Sequence, residues 1–276
     1  GEHQSKGGSS PIIRFTLGFF VMIGALMFLG CPIRMILRLG GGDLNALFGI
    51  AGFAGGIGVG TIFLKKGYSL QRTYALSKLE SAMMPAIQVG LLVLVVTAPA
   101  FILFSQKGPG AMHAPWLISL AAGLVVGGLS QFSRLCTVGG FRDLFLFKKS
   151  ILIFGYLAVL IGVFVVNISF GNFHLGFENQ PIAHTDGLWN FLGMALAGFC
   201  SVLLGGCPLR QLIMTGEGNS DSAVTVLGLA AGAAFAHNFG LAASGAGPTL
   251  NGEIAVGVGF VVAFIIAVLN TKRSNA

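Results

Sequence analysis

Gly30-Cys31-Pro32-Ile33-Arg34 returns 176 residues later as Gly206-Cys207-Pro208-Leu209-Arg210. Both copies interrupt apolar sequence. Both run into a glycine-flanked turn, Gly40-Gly41-Gly42-Asp43 and Gly216-Glu217-Gly218-Asn219. Over the sixteen aligned positions 28–43 and 204–219, six residues are identical: Gly, Cys, Pro, Arg, Gly and Gly. The duplication could serve folding alone, with the motifs as tight turns, but a tight turn needs Gly and Pro and neither Cys nor Arg, which favours a functional role. Proline is best tolerated at the first position of a helix, where its missing N–H costs nothing. Cys31 and Cys207 are therefore predicted to cap short helices that end near Gly40 and Gly216, with Gly30, Pro32, Gly206 and Pro208 forming the break before each.

The surroundings are those of a membrane. The chain of 276 residues is 54% hydrophobic and 9% charged, with a mean hydropathy of +0.86. Apolar runs of the length that crosses a bilayer as a helix recur at 12–30, 44–64, 85–105, 116–135, 150–170, 188–205, 222–243 and 252–270. The expected fold is all-α: a polytopic helical bundle of about eight spans, with broken or re-entrant helices at the cysteine motifs. Gly49, Gly52, Gly56 and Gly60 follow one another at helical spacing, as do Gly228 and Gly232, which suits close packing in lipid.

The basic residues set the orientation. With the N-terminus inside, the inner segments hold Lys6, Arg14, Lys65, Lys66, Arg72, Lys78, Arg134, Arg142, Lys148, Lys149, Arg210, Lys272 and Arg273. The outer segments hold Arg34, Arg38 and Lys107. This bias puts both termini of the chain in the cytoplasm. The net charge of +7 is spread over short loops, so it speaks for orientation and not for nucleic-acid binding. Five spans separate Cys31 from Cys207. The two motifs thus fall on opposite sides of the membrane, the pattern of an inverted repeat whose halves meet near the midplane.

A third cysteine segment, Ser133-Arg134-Leu135-Cys136-Thr137-Val138-Gly139-Gly140-Phe141-Arg142-Asp143, lies 71 residues before Cys207. Its partner in the first half would fall before residue 1. Residues 1–11 are thus expected to be a polar cut edge, followed by one membrane domain over 12–270 and a tail at 271–276. That domain divides into an incomplete first repeat, 12–105, and a second, 116–270.

A helix N-terminus offers free N–H groups and positive partial charge, and so can hold an anion. A thiol placed there is a weak, polarizable donor that can bind without trapping. Cys31, Cys136 and Cys207 are the candidate relay residues. Arg34, Arg210 and Arg142 could stabilise an anion, although Asp43 or Glu217 could claim the first two. Cys200, within a span, and His237, at the end of one, are weaker candidates. The four cysteines hold no CxxC pair and no close Cys/His cluster, so neither a metal nor another cofactor is expected. Gln88 and Gln131 read as interhelical hydrogen bonders, and Gly108-Pro109-Gly110 as an exposed turn.

These motifs resemble the YeeE/YedE family of sulfur-transport membrane proteins, and within it the branch of selenium transporters. The residues that carry the likeness are Gly30-Cys31-Pro32-x-Arg34, Arg134-x-Cys136-x-x-Gly139-x-x-Arg142-Asp143 and Gly205-Gly206-Cys207-Pro208-Leu209-Arg210-Gln211-Leu212, with the stretch from Gly216 to Val226. The resemblance implies an inner-membrane permease for a small sulfur or selenium anion, such as thiosulfate. Family cysteines pass the ion along by S–H hydrogen bonds, positions that fall here on Cys31, Cys136 and Cys207. The expected partners are that anion, the lipid bilayer and a small cytosolic sulfur or selenium carrier protein. Two other readings stand beside this non-enzymatic one. One is a membrane sulfur or selenium transferase working through a cysteine persulfide. The other is a scaffold that anchors a cytosolic protein through loop 65–84.

Overall fold

The structure is a computed structural model that describes residues 6–70, 73–98, 101, 103, 106, 111 and 114–271. The edge 1–5, Arg72, Lys107, the Gly108-Pro109-Gly110 turn, Lys272 and Arg273 lie outside the described residues. Among the described residues, eight helices are of full length: α1 (Pro11–Phe28), α3 (Asn45–Lys65), α4 (Lys78–Thr97), α5 (Trp116–Phe132), α7 (Ile151–Ser169), α8 (Gly187–Leu204), α10 (Ser220–Asn238) and α11 (Leu250–Leu269). Three short ones follow the cysteines: α2 (Pro32–Gly40), α6 (Thr137–Phe147) and α9 (Pro208–Gly216). A two-residue antiparallel pairing of β1 (Lys6–Gly7) with β2 (Tyr74–Ala75) is the only sheet among the described residues.

Seven helical segments are long and apolar enough to cross a membrane, three of them a full helix joined to the short one behind it. The remaining predicted span, 222–243, folds as α10, whose ends carry Ser220, Asp221, Ser222, His237 and Asn238 and make it more polar. The run read at 85–105 folds earlier, as Lys78–Thr97. Ser77 and Glu80 form a reciprocal capping box there, and Pro85 sits inside the helix instead of starting it.

Lipid gives helices little apolar reason to associate, so close backbone approach does the work. A Cβ added to Gly52 or Gly56 would lie 2.0 Å from the carbonyl oxygens of Phe191 and Ala195, which locks α3 against α8. A Cβ on Gly228 or Gly232 would lie 2.2 Å and 2.5 Å from those of Phe15 and Phe19, which locks α10 against α1. Each residue of the second pair of contacts is related to one of the first by the same 176-residue offset as the motifs. The two interfaces are copies of one another. The repeat is also inverted: the C-terminal end of α1 meets the N-terminal end of α8, where the His184 imidazole, just ahead of α8, bonds the Met27 carbonyl at 2.8 Å.

Candidate functional site

All three cysteines sit at the same kind of break. The residue two before each cysteine is left-handed: Leu29 (φ 62°), Arg134 (φ 52°) and Gly205 (φ 83°). The next N–H then reaches back to close the preceding helix, Gly30 to Ala25 O (2.8 Å), Leu135 to Ser130 O (3.0 Å) and Gly206 to Ser201 O (3.1 Å). The chain extends for one residue, the cysteine, and enters the short helix. Cys31 and Cys207 share nearly the same backbone angles, −76°/170° and −71°/164°. The sulfur of Cys136 accepts the Gly139 N–H at 3.3 Å. The Cys31 sulfur makes no such cap bond, and that of Cys207 turns instead to Cys136 and Thr137, with the Arg210 N–H of its own helix nearby.

The exits match as well. Asp43 N–H bonds Arg38 O and Asn219 N–H bonds Met214 O, both at 3.0 Å. Gly42 and Gly218 supply the positive φ that each turn requires (99° and 84°).

The fold brings the three motifs to one centre. Cys136 and Cys207 lie thiol to thiol within hydrogen-bonding reach, and Thr137 lies beside Cys207. Both cysteines belong to a buried cluster with Met194, Ala197, Val202 and Tyr156, and are 9% and 1% exposed. Tyr156, on α7, lies within electrostatic range of both Cys31 and Cys207. Its hydroxyl is buried without a hydrogen-bond partner, while the Thr137 side chain is directed to the Cys207 sulfur. Neither residue stood out in the sequence, because a Tyr in an apolar span and a Thr at a helix start are ordinary in themselves. Cys200 sits elsewhere, fully buried in a second apolar cluster with Leu17, Tyr68 and Leu203. His237 is exposed at the end of α10.

The arginines divide. Asp43 is claimed by Arg38, whose Nε lies 2.6 Å from Oδ2, and not by Arg34. Arg210 donates to Gln131 Oε1 at 2.9 Å, the interhelical bond expected of that glutamine, and not to Glu217. Arg142 pairs with Asp143 at 2.8 Å. Arg34 keeps a buried Nε without a partner.

Two polar cavities flank the centre. One, of about 550 Å³, is lined by Arg34, Arg38, Asp43, Asn167, His174 and Gln180, among others, at the end where α3 and α8 begin. The other, of about 290 Å³, is lined by Ser9, Arg14, Tyr68, Arg142 and Gly205, at the end where α3 and α8 finish. Among the described residues no group of three His, Cys, Asp or Glu side chains could hold a metal ion.

Half-helices entering from opposite ends of a multi-pass bundle, with polar cavities on either side of their meeting point, define a membrane transport protein. The sequence comparison gives the particular family: the model described as sulphur transport matches residues 132–271, just over half of the chain, and the protein belongs to that family. No curated protein matches it.

Proposed function

We propose that this protein is an inner-membrane permease for a small sulfur oxyanion such as thiosulfate, or its selenium analogue, and that Cys31, Cys136 and Cys207 pass the ion along by S–H hydrogen bonds. The observation that carries the reading is the meeting of Cys136 with Cys207 at two half-helix N-termini, with Cys31 across Tyr156. The ion enters from the Arg34 side, takes hydrogen bonds from the Cys31 thiol and then from the inner pair, and leaves toward Arg142. Each S–H bond is weak, which lets the ion depart as readily as it arrives. The open N–H groups of α2 and α9 supply positive potential without a bound counter-charge. The charge bias supports an orientation with the Arg34 mouth outside and both chain termini inside, the side from which a cytosolic sulfur carrier would take the ion.

The burial of Cys136 and Cys207 favours this over a persulfide transferase, whose thiol has to be reached by a carrier protein. The test is uptake of labelled thiosulfate and selenite by cells that express the whole gene. Cys31→Ala, Cys136→Ala and Cys207→Ala are each expected to lower uptake at least about tenfold, the loss of one essential step. Cys200→Ala, away from the centre, is expected to leave it unchanged. Full uptake by any of the three relay variants refutes the relay.

A further inference from the structure

The outer cavity has a composition that the thiol relay does not explain. Its walls hold two guanidinium groups, Arg34 and Arg38, against one carboxylate, Asp43. Arg38 and Asp43 neutralise each other at 2.6 Å, and the second carboxylate oxygen is taken by the Asn45 N–H and side-chain amide, both at 2.9 Å. The charge of Arg34 is left over, and the cavity carries a net positive charge. Arg38 contributes no net charge but is only 7% exposed, and its Nη2 is buried with no partner. Two residues that line one cavity, Arg34 and Arg38, thus each carry a buried donor that is costly to leave unpaired. Exposed His174 and Asn172 complete the lining with further polar groups.

Arg34 is also held in place from the repeat. A Cβ added to Gly30 would lie 2.7 Å from Arg34 Cδ and 2.9 Å from its Cγ, so only glycine leaves the arginine stem where it is. At the other copy the equivalent Gly206 is looser, with Arg210 Cγ at 3.5 Å. Arg34 stands three residues past Cys31, one helical turn from the thiol. The cavity, at about 550 Å³, is many times the ~30 Å³ share of one water and has room for an ion with part of its hydration shell.

We propose that this vestibule is a binding site in its own right, one that collects a doubly charged tetrahedral oxyanion by charge and N–H donation before any thiol touches it. A guanidinium fork matches two oxygens of such an anion, and a cleft of one sign concentrates its counter-ions. The site recognises the oxygens, so sulfate fits as well as thiosulfate, and the choice of sulfur is left to the cysteines. This extends the permease reading but stands on different residues.

The experiment is equilibrium binding of labelled sulfate and labelled thiosulfate to the purified full chain in detergent at low ionic strength. The wild type is expected to bind both with affinities within about threefold of each other. Arg34→Gln is expected to weaken both at least about tenfold, the lower end for a charge-assisted hydrogen bond. Gly30→Ala, which displaces the same side chain, is expected to act in the same direction. Cys31→Ala is expected to keep sulfate affinity within about twofold. A folded Arg34→Gln variant with unchanged affinity overturns the proposal, and so does loss of sulfate binding in Cys31→Ala. Should Arg34→Gln fail to fold, the double variant Asn172→Ala/His174→Ala, at exposed loop positions, decides: a loss of about threefold or more supports the site, and unchanged affinity overturns it. Full uptake by a cysteine variant that still binds sulfate refutes the relay and spares the vestibule, so the two ideas fail separately.

Discussion

Replacing Arg38 by methionine tests whether the two halves are copies that differ only in side chains. Arg38 is buried and does three things at once. It pairs with Asp43 at 2.6 Å, it donates to the Phe28 carbonyl at 2.5 Å, and its guanidinium lies 4.0 Å over the Phe28 ring. The pair fastens the end of α2 to the break that precedes Cys31. In the second copy the same positions hold Met214 and Asn219, and the turn keeps the same backbone bond without any charge. Arg38→Met leaves the Asp43 carboxylate buried and uncompensated, which costs about 3–5 kcal/mol. Adding Asp43→Asn removes the stranded charge and keeps an oxygen for the Asn45 N–H. The double variant is then expected to lie within about 1–2 kcal/mol of the wild type, the neutral hydrogen bonds doing what they do in the second copy. Unfolding in detergent micelles, followed by near-UV circular dichroism for all four members of the cycle, gives the coupling energy. A single variant that loses less than about 1 kcal/mol, or a double variant no better than the single, refutes the reasoning.

His184 is buried and its imidazole bonds the Met27 carbonyl at 2.8 Å. Burial holds its pKa below the usual 6.5, with the nearby Arg38 acting in the same direction and the Met27 carbonyl, Asp186 and Asp43 opposing. The unfolded chain therefore takes up the proton first. The contribution of His184 is full above pH 6.5 and falls as the pH drops below it, by at most about 1.4 kcal/mol per pH unit. His184→Gln is expected to flatten that slope in unfolding measured from pH 7.5 to 5, and an unchanged slope counts against it. Gly52→Ala drives a Cβ into the Phe191 carbonyl and is expected to cost about 1–3 kcal/mol. Gly162→Ala, with nothing within 4 Å, is expected to be neutral or to stabilise by up to about 1 kcal/mol, so equal losses in thermal unfolding would sink the packing account. Tyr156→Phe removes a buried hydroxyl that has no partner and is expected to stabilise the chain by about 1 kcal/mol while lowering thiosulfate uptake. A variant that is both more stable and fully active would take Tyr156 out of the path.

The repeated motif made much of this legible. Pro32 and Pro208 announce helix starts, and the short helices end at Gly40 and Gly216 where the turn glycines stand. Most spans follow from apolar run length alone, because a bilayer tolerates little else. The misplaced one, α4, begins on polar Lys78 under a Ser77–Glu80 cap, and a search for apolar runs passes over a polar first turn. Partnership was harder to read. Asp43 has two arginines upstream, and spacing alone does not say that the buried partner is the one five residues away. Cys200 and Cys207 are close in sequence but face different apolar clusters, which only the packing of α8 separates. Tyr156 matters for what its hydroxyl lacks, a hydrogen-bond partner, and Thr137 for lying against Cys207, and sequence carries no sign of either.

Backbone and side chains have gone separate ways in the two halves, and the difference follows what each half packs against. Gly42 lies under the loop after α7, where an added Cβ would meet His174 O at 2.4 Å, and the loop is tied down by the bonds of His174 N–H to Gly41 O and Gly176 N–H to Gly42 O. Gly218 lies under the first turn of α4, where an added Cβ would meet Ser81 O, also at 2.4 Å. The same glycine is needed in both places because a backbone crosses it in both. The side chains one turn away answer to no such constraint. In the first half they are Arg38 and Asp43, an ion pair in the wall of a cavity; in the second they are Met214 and Asn219 and carry no charge. The break before each cysteine is kept because a backbone crosses the turn behind it, while the side chains one turn away are free to be an ion pair in one half and neutral in the other.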